Sequence, residues 1–163
     1  MEEGTVLYLA AGIHAQTGSE EGRNILRTTN YLDDRQHLPV GTRFTVLDEG
    51  ERFVTLECAD GRRYRLEYRP KHIRIPFREW MNRQFSRAPV QLPTSLTSDE
   101  RACIEQGLLR VGMSREAVFL AVGYPPASLT SSLEGDSIVY AQDMFRKVRV
   151  EFGRDGCVAR IVD

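Results

Sequence analysis

The sequence predicts an α+β protein in which a β-rich first half precedes two short helices and three strands. Three observations carry that expectation. Apolar residues alternate with period two from Thr42 to Tyr68, the pattern of strands with one buried face. Helix start and stop signals bracket two short segments between Thr97 and Gly123, and period two returns from Ser137 to Val162. The boundaries drawn from these signals are a β-rich domain over 1–75, a helix and linker over 76–97, and an αα-βββ domain over 98–163.

In the first domain Phe44 and Val46 alternate with Arg43 and Thr45, and Val54, Leu56 and Cys58 with Phe53, Thr55 and Glu57. Tyr64, Leu66 and Tyr68 then alternate with Arg63, Arg65 and Glu67. Asp48-Glu49-Gly50 and Asp60-Gly61 supply the turns, the second being a hairpin signal. Leu38-Pro39-Val40-Gly41-Thr42 reads as a tight entry into the first of these strands. Thr5–Leu9 and Asn24–Thr29 are expected to add strands, so that the domain closes as a small meander or barrel. The polar, glycine-bearing stretch Ala15–Gly22 reads as a mobile loop.

Pro76 suits the opening of a helix, because its missing N–H and fixed φ fit the first turn. Phe77, Trp80, Met81 and Phe85 then make one apolar stripe against Arg78, Asn82 and Arg83. Ser86–Thr97, with Pro89 and Pro93, is expected to be a linker. Thr97 or Ser98 caps the next helix, Asp99 and Glu100 sit in its first turn, and Gly107 ends it. Ser114 caps a second helix with Val118, Ala121 and Val122 on its buried side; Gly123 stops it, and Tyr124-Pro125-Pro126 forces an extended exit. A polar loop, Ser128–Asp136, leads to strands at Ser137–Ala141, Arg146–Phe152 and Cys157–Val162. The expected core of this domain is Val118, Ala121, Val122, Tyr140, Val148, Val150, Phe152 and Ile161.

A chain of 163 residues with 41% hydrophobic residues and net charge −1 has the make-up of a globular protein rather than a disordered one. Its charge is uneven. Residues 60–87 hold nine Lys and Arg against three acids, and Arg63, Arg65, Arg78 and Arg83 are the candidates for contact with an anionic surface. A solvated face explains the same residues more simply. Tyr64 and Tyr68 share the strand face of Leu66, opposite Arg63 and Arg65. Aromatics and cations thus diverge, and no nucleic-acid partner is expected.

Catalytic chemistry lacks a constellation. Gly112-Met113-Ser114-Arg115-Glu116 fails the nucleophile elbow at its fifth place, which leaves Ser114 as a helix cap. His14, His37 and His72 stand far apart in sequence, and Cys58, Cys103 and Cys157 are isolated, so no metal or cofactor is expected. Asp33 and Asp34 are neighbours that point opposite ways if the chain is extended there. The chain reads as a non-enzyme.

Gly112-Met113-Ser114-Arg115-Glu116-Ala117-Val118, then Ala121-Val122-Gly123-Tyr124-Pro125, then the hairpin of Val148–Phe152 and Gly156–Ile161 together resemble the SmpA/OmlA (BamE-like) domain of bacterial envelope proteins. Gly-Tyr-Pro-Pro stands where that family has Leu-Gly-x-Pro, and Ile138-Val139-Tyr140-Ala141 where it often has a tryptophan. The first half, with its Leu-Pro-x-Gly-Thr entry, looks SH3-like. The resemblance implies an αα-βββ unit of the kind also seen in β-lactamase-inhibitor-like proteins. It further implies a non-catalytic interaction role in a cell-envelope assembly, periplasmic or lipid-anchored at an outer or inner membrane, with an envelope protein as partner. The alternative is a binder of cell-wall glycan or anionic lipid through the basic stripe at 62–87. The expected partner surface is Tyr124, Pro125 and Pro126 with Phe145 and Arg146, beside the Ser128–Asp136 loop. Two prolines stiffen the exit, tyrosine is a common interface anchor, and function gathers in long loops. The competing reading packs Tyr124 inward.

Overall fold

The computed structural model describes residues 1–18 and 22–163. Eight strands of the first half join one sheet: β1 (Val6–Leu9), β2 (Ile13–Gln16), β3 (Asn24–Arg27), β4 (Gln36–Leu38), β5 (Arg43–Glu49), β6 (Phe53–Cys58), β7 (Arg63–Glu67) and β8 (Phe85–Ser86). Their order is β4-β2-β3-β7-β6-β5-β1-β8, and β3 runs parallel to β7. The period-two residues Phe44, Val46, Val54, Leu56, Tyr64 and Leu66 all turn to one buried face, joined there by Leu7, Leu9 and Leu26.

This sheet curls around its own core. Tyr64 in β7 donates its hydroxyl to the side-chain oxygen of Gln36 in β4 at 2.9 Å. Three strand spacings lie between them, about 14 Å in a flat sheet. A short helix α1 (Pro70–Ile73) and then α2 (Phe77–Gln84) lead to β8. Trp80 and Met81 on α2 are buried in the same core. Pro76 sits one residue before α2, at its N-cap. Phe85 also joins this core, but from β8 rather than from the helix.

The second half holds α3 (Ser98–Gln106), α4 (Arg115–Val122) and the strands β9 (Ser137–Ala141), β10 (Lys147–Phe152) and β11 (Val158–Val162), ordered β11-β10-β9. Val118, Ala121, Val122, Tyr140, Val148 and Val150 are buried in its core, while Phe152 and Ile161 are only partly covered. Cys103 is buried there, and all three cysteines are free thiols. Among the described residues no helix is long and apolar enough to cross a membrane.

The α+β class expected from the sequence, with its SH3-like barrel and αα-βββ unit, is therefore corrected. The described chain is mostly strand, eleven strands with small helices, and its main body is an eight-stranded half-barrel. The reason lies in short strands without alternation. In β2 the successive residues Ile13, His14 and Ala15 are all buried, β4 has three residues and β8 has two. The loop expected over Ala15–Gly22 begins inside β2, and positions 19–21 lie outside the described residues.

The starts of α3 and α4 share one carboxylate. Glu100 and Thr97 form a reciprocal capping box on α3, the motif that satisfies the free N–H groups of a first turn. The second Glu100 oxygen accepts from the Ser114 backbone N–H at 2.9 Å and the Ser114 hydroxyl at 2.7 Å, and Ser114 in turn caps α4. Burial raises the carboxyl's pKa, but the bonds from Ser114 and Thr97 outweigh it and hold it below its usual 4.5. A lowered folded pKa stabilises above the unfolded value and is lost as pH falls through the folded one. Glu100→Gln is thus expected to cost about 1–2 kcal/mol at pH 7, as caps do. Urea denaturation of both proteins should show that gap closing as the pH falls below 4.5. A gap that persists at pH 3 would mean that the carboxylate charge is irrelevant.

Candidate functional site

The hairpin turn from β9 to β10 is Asp143-Met144-Phe145-Arg146. Asp143 Oδ1 accepts the backbone N–H of Phe145 at 2.8 Å and of Arg146 at 2.7 Å, and its Oδ2 accepts from Arg146 Nε at 2.7 Å. The Phe145 N–H, with help from Arg146, keeps this carboxyl below its ordinary pKa. Arg146 also reaches Asp33 at 2.5 Å, and Asp33 accepts from the Gln142 side chain. Backbone bonds from Leu32 N–H to Ala141 O and from Asp33 N–H to Gln142 O complete the frame. The turn is therefore held by polar groups on both sides while Met144 and Phe145 stand 73% and 90% exposed.

Beside it lies an open cleft of about 620 Å³, whose lining includes Arg27, Tyr31, Asp33, Asp34, Arg69 and Met144. Asp33 and Asp34 face the same cleft because the chain turns there; the extended chain that would separate them is not formed. Burial raises the Asp34 pKa against the pull of Arg27, which stands 3.6 Å away and also donates to Gln16 at 2.5 Å.

The five residues expected to meet a partner fall into two groups. Tyr124 is half-buried, stacked on Phe119 at 4.9 Å between ring centres, with the Arg83 guanidinium over its ring at 4.7 Å. Pro125 and Pro126 are buried. That exit is a packed corner, closer to the inward reading of Tyr124. Phe145 and Arg146 belong instead to the turn held by Asp33 and Asp143, and Phe145 alone of the five presents nearly its whole side chain. The loop beyond the prolines is tied down as well. Thr130 bonds both backbone groups of Val139, and Arg115 holds the carbonyls of Leu133 and Gly135.

The four arginines of the basic stripe occupy three separate surroundings. Arg63 pairs with Glu57 at 2.9 Å, and Arg65 lies 3.9 Å over the Phe53 ring; both line one hollow. Arg78 lines another cleft with Phe77, Met81 and Arg87, and Arg83 covers Tyr124.

Sequence separation also hid a polar seam between the two halves. His14 in β2 pairs in register with His37 in β4, and their rings lie 4.9 Å apart. Beside them the end of α4 is completed from far along the chain. Leu120 O accepts the Gly12 N–H at 2.9 Å, Ala121 O pairs with His37 Nε2 at 2.9 Å and Val122 O accepts from Asn30 at 2.7 Å. Gly123 O accepts the Tyr140 hydroxyl at 2.7 Å. A helix leaves its last carbonyls without partners of its own; here tertiary donors supply them.

The chain matches no protein-family model, no curated protein and no solved structure. The SmpA/OmlA resemblance therefore rests on its own residues.

Proposed function

We propose that this protein is a non-catalytic binding module that docks a protein partner through the β9–β10 turn, with Phe145 as the anchor. The observation that carries this reading is a phenylalanine 90% exposed on a turn whose backbone is already fixed by Asp143. A rigid presentation lowers the ordering cost of association, and a large apolar side chain buried at an interface centre is a frequent source of binding energy. Met144 extends the apolar contact, and Arg146, committed to Asp33 and Asp143, acts as scaffold. The setting in a bacterial envelope assembly belongs to the same proposal and is supported by the resemblance of the Gly112–Val118 turn and the final hairpin alone.

The test is affinity capture from solubilised bacterial envelopes with the parent, Phe145→Asp, and a control at the other strongly exposed apolar site, Val111→Asp (65% exposed). Phe145→Asp is expected to weaken the captured complex by at least roughly 30-fold, the equivalent of a 2 kcal/mol anchor, with its melting temperature unchanged. The control is expected to bind as the parent does. Equal capture by all three proteins would remove Phe145 from the interface.

A further inference from the structure

We infer that the His14–His37 pair is an acid-sensitive latch, holding the half-barrel on the ends of α3 and α4 at neutral pH and releasing that contact as the pair takes up a proton. The pair is wedged where the helices end. His37 Nε2 meets Ala121 O at the end of α4, and the Glu105 backbone near the end of α3 also favours a proton on the same ring. Glycine makes the room. A Cβ on Gly107, the C-cap of α3, would stand 2.3 Å from His37 Cδ2, and one on Gly12 would stand 2.7 Å from Nε2.

The hydrogen bonds fix which nitrogens carry protons. Asn30 donates its amide to Val122 O, so its oxygen must accept, and it takes the His14 backbone N–H at 2.8 Å. His14 Nδ1, 3.3 Å from that same oxygen, is then the protonated nitrogen of a neutral ring. His37, bonded to a carbonyl, carries its proton on Nε2. Each ring thus does its structural work while uncharged. A second proton on either places a cation in a 4.9 Å ring pair, with His14 only 6% exposed.

The groups facing the pair are few. β2 contributes His14 and β4 contributes His37. The segment between β3 and β4 brings the Asp33 carboxylate, which favours a proton on His14. The two helices offer the Glu105 backbone and the Ala121 carbonyl, which favour one on His37. Burial opposes all of these. It is the largest influence on both rings, and with His37 nearby it brings His14 down to about 4. Both rings therefore bind protons less readily docked than free. The contact is at full strength above about pH 6.5 and weakens as the pH falls toward the docked values.

The experiment is NMR-detected hydrogen exchange on the full chain, corrected for intrinsic rates, between pH 7.5 and 4.5. The Gly12 amide, bonded to Leu120 O, reports the seam, and the amides of Val54 and Leu56 report the barrel core. In the parent, Gly12 protection is expected to fall below pH 6.5 by up to tenfold per pH unit for each ring that takes up a proton, while Val54 and Leu56 stay better protected than Gly12 at every pH. His14→Gln with His37→Gln retains side chains able to donate and is expected to flatten the dependence. Should that variant fail to fold, the parent's own histidine ring resonances decide, since docked rings must titrate below the ordinary 6.5. Protection of Gly12 that ignores pH would overturn the latch. So would core amides no better protected than Gly12, or rings that titrate at or above their ordinary 6.5.

Discussion

Gly12→Ala is expected to destabilise the protein by about 3 kcal/mol, the upper end of what overpacking costs. An added Cβ would stand 2.1 Å from the Ala121 carbonyl oxygen and 2.9 Å from its carbon. Both belong to backbone that cannot swing aside. Relief requires the end of α4 to lift away from β2, which breaks the bonds to Leu120, Ala121 and Val122 together. Each such bond contributes about 1 kcal/mol net, so shedding all three is no cheaper than bearing the clash. Urea denaturation with an unchanged m-value would measure the loss. A cost below about 1 kcal/mol would show that the seam has slack and that the two halves touch without gripping.

Tyr140→Ala is expected to cost about 4 kcal/mol, in the range for deleting a buried aromatic ring. The side chain is fully buried in β9 among Ile138, Val148 and Val118, and its hydroxyl closes the α4 end by donating to Gly123 O. Burial drives the hydroxyl's pKa well above its usual value, so it donates throughout the working pH range. Tyr140→Phe separates the two roles. It keeps the ring, leaves Gly123 O short of a donor, and is expected to cost about 1–2 kcal/mol. Thermal melts of both variants check this. If Phe proved as damaging as Ala, the hydrogen bond rather than the packed ring would be the main support.

Local signals were readable because they need no knowledge of the rest of the chain. The alternation in β5, β6 and β7, the cap at Thr97 or Ser98 and the Ser114 cap each lie within a few residues, and each appears in the fold, with Thr97 as the first cap. The strands β2 and β8 lack that signal: β2 is buried on successive residues and β8 is two residues long. They exist because neighbouring strands pair with them, and the class expectation failed for that reason. At the candidate site, Phe145 and Arg146 could be named from the sequence, yet what makes Phe145 conspicuous could not. The frame behind it joins Asp33 to Arg146 across 113 residues. Tyr124 was equally visible, but the Phe119 ring and Arg83 guanidinium that meet its ring come from different elements. An aspartate two residues ahead of an apolar turn residue was the one local hint, since such side chains commonly bond the backbone of their own turn.

The remote capping of α4 also orders events in time. Its last carbonyls are met by residues 84 and 92 positions earlier in the chain, and the parallel β3–β7 pair closes a span of some forty residues before that. Contacts of such separation form late, because loop closure must precede them. The half-barrel strands precede α4 in the chain, so β2 and β4 are synthesised before the helix end that covers them. The seam is then a long-range closure, and the helix end that completes it is finished by residues that lie far earlier in the chain.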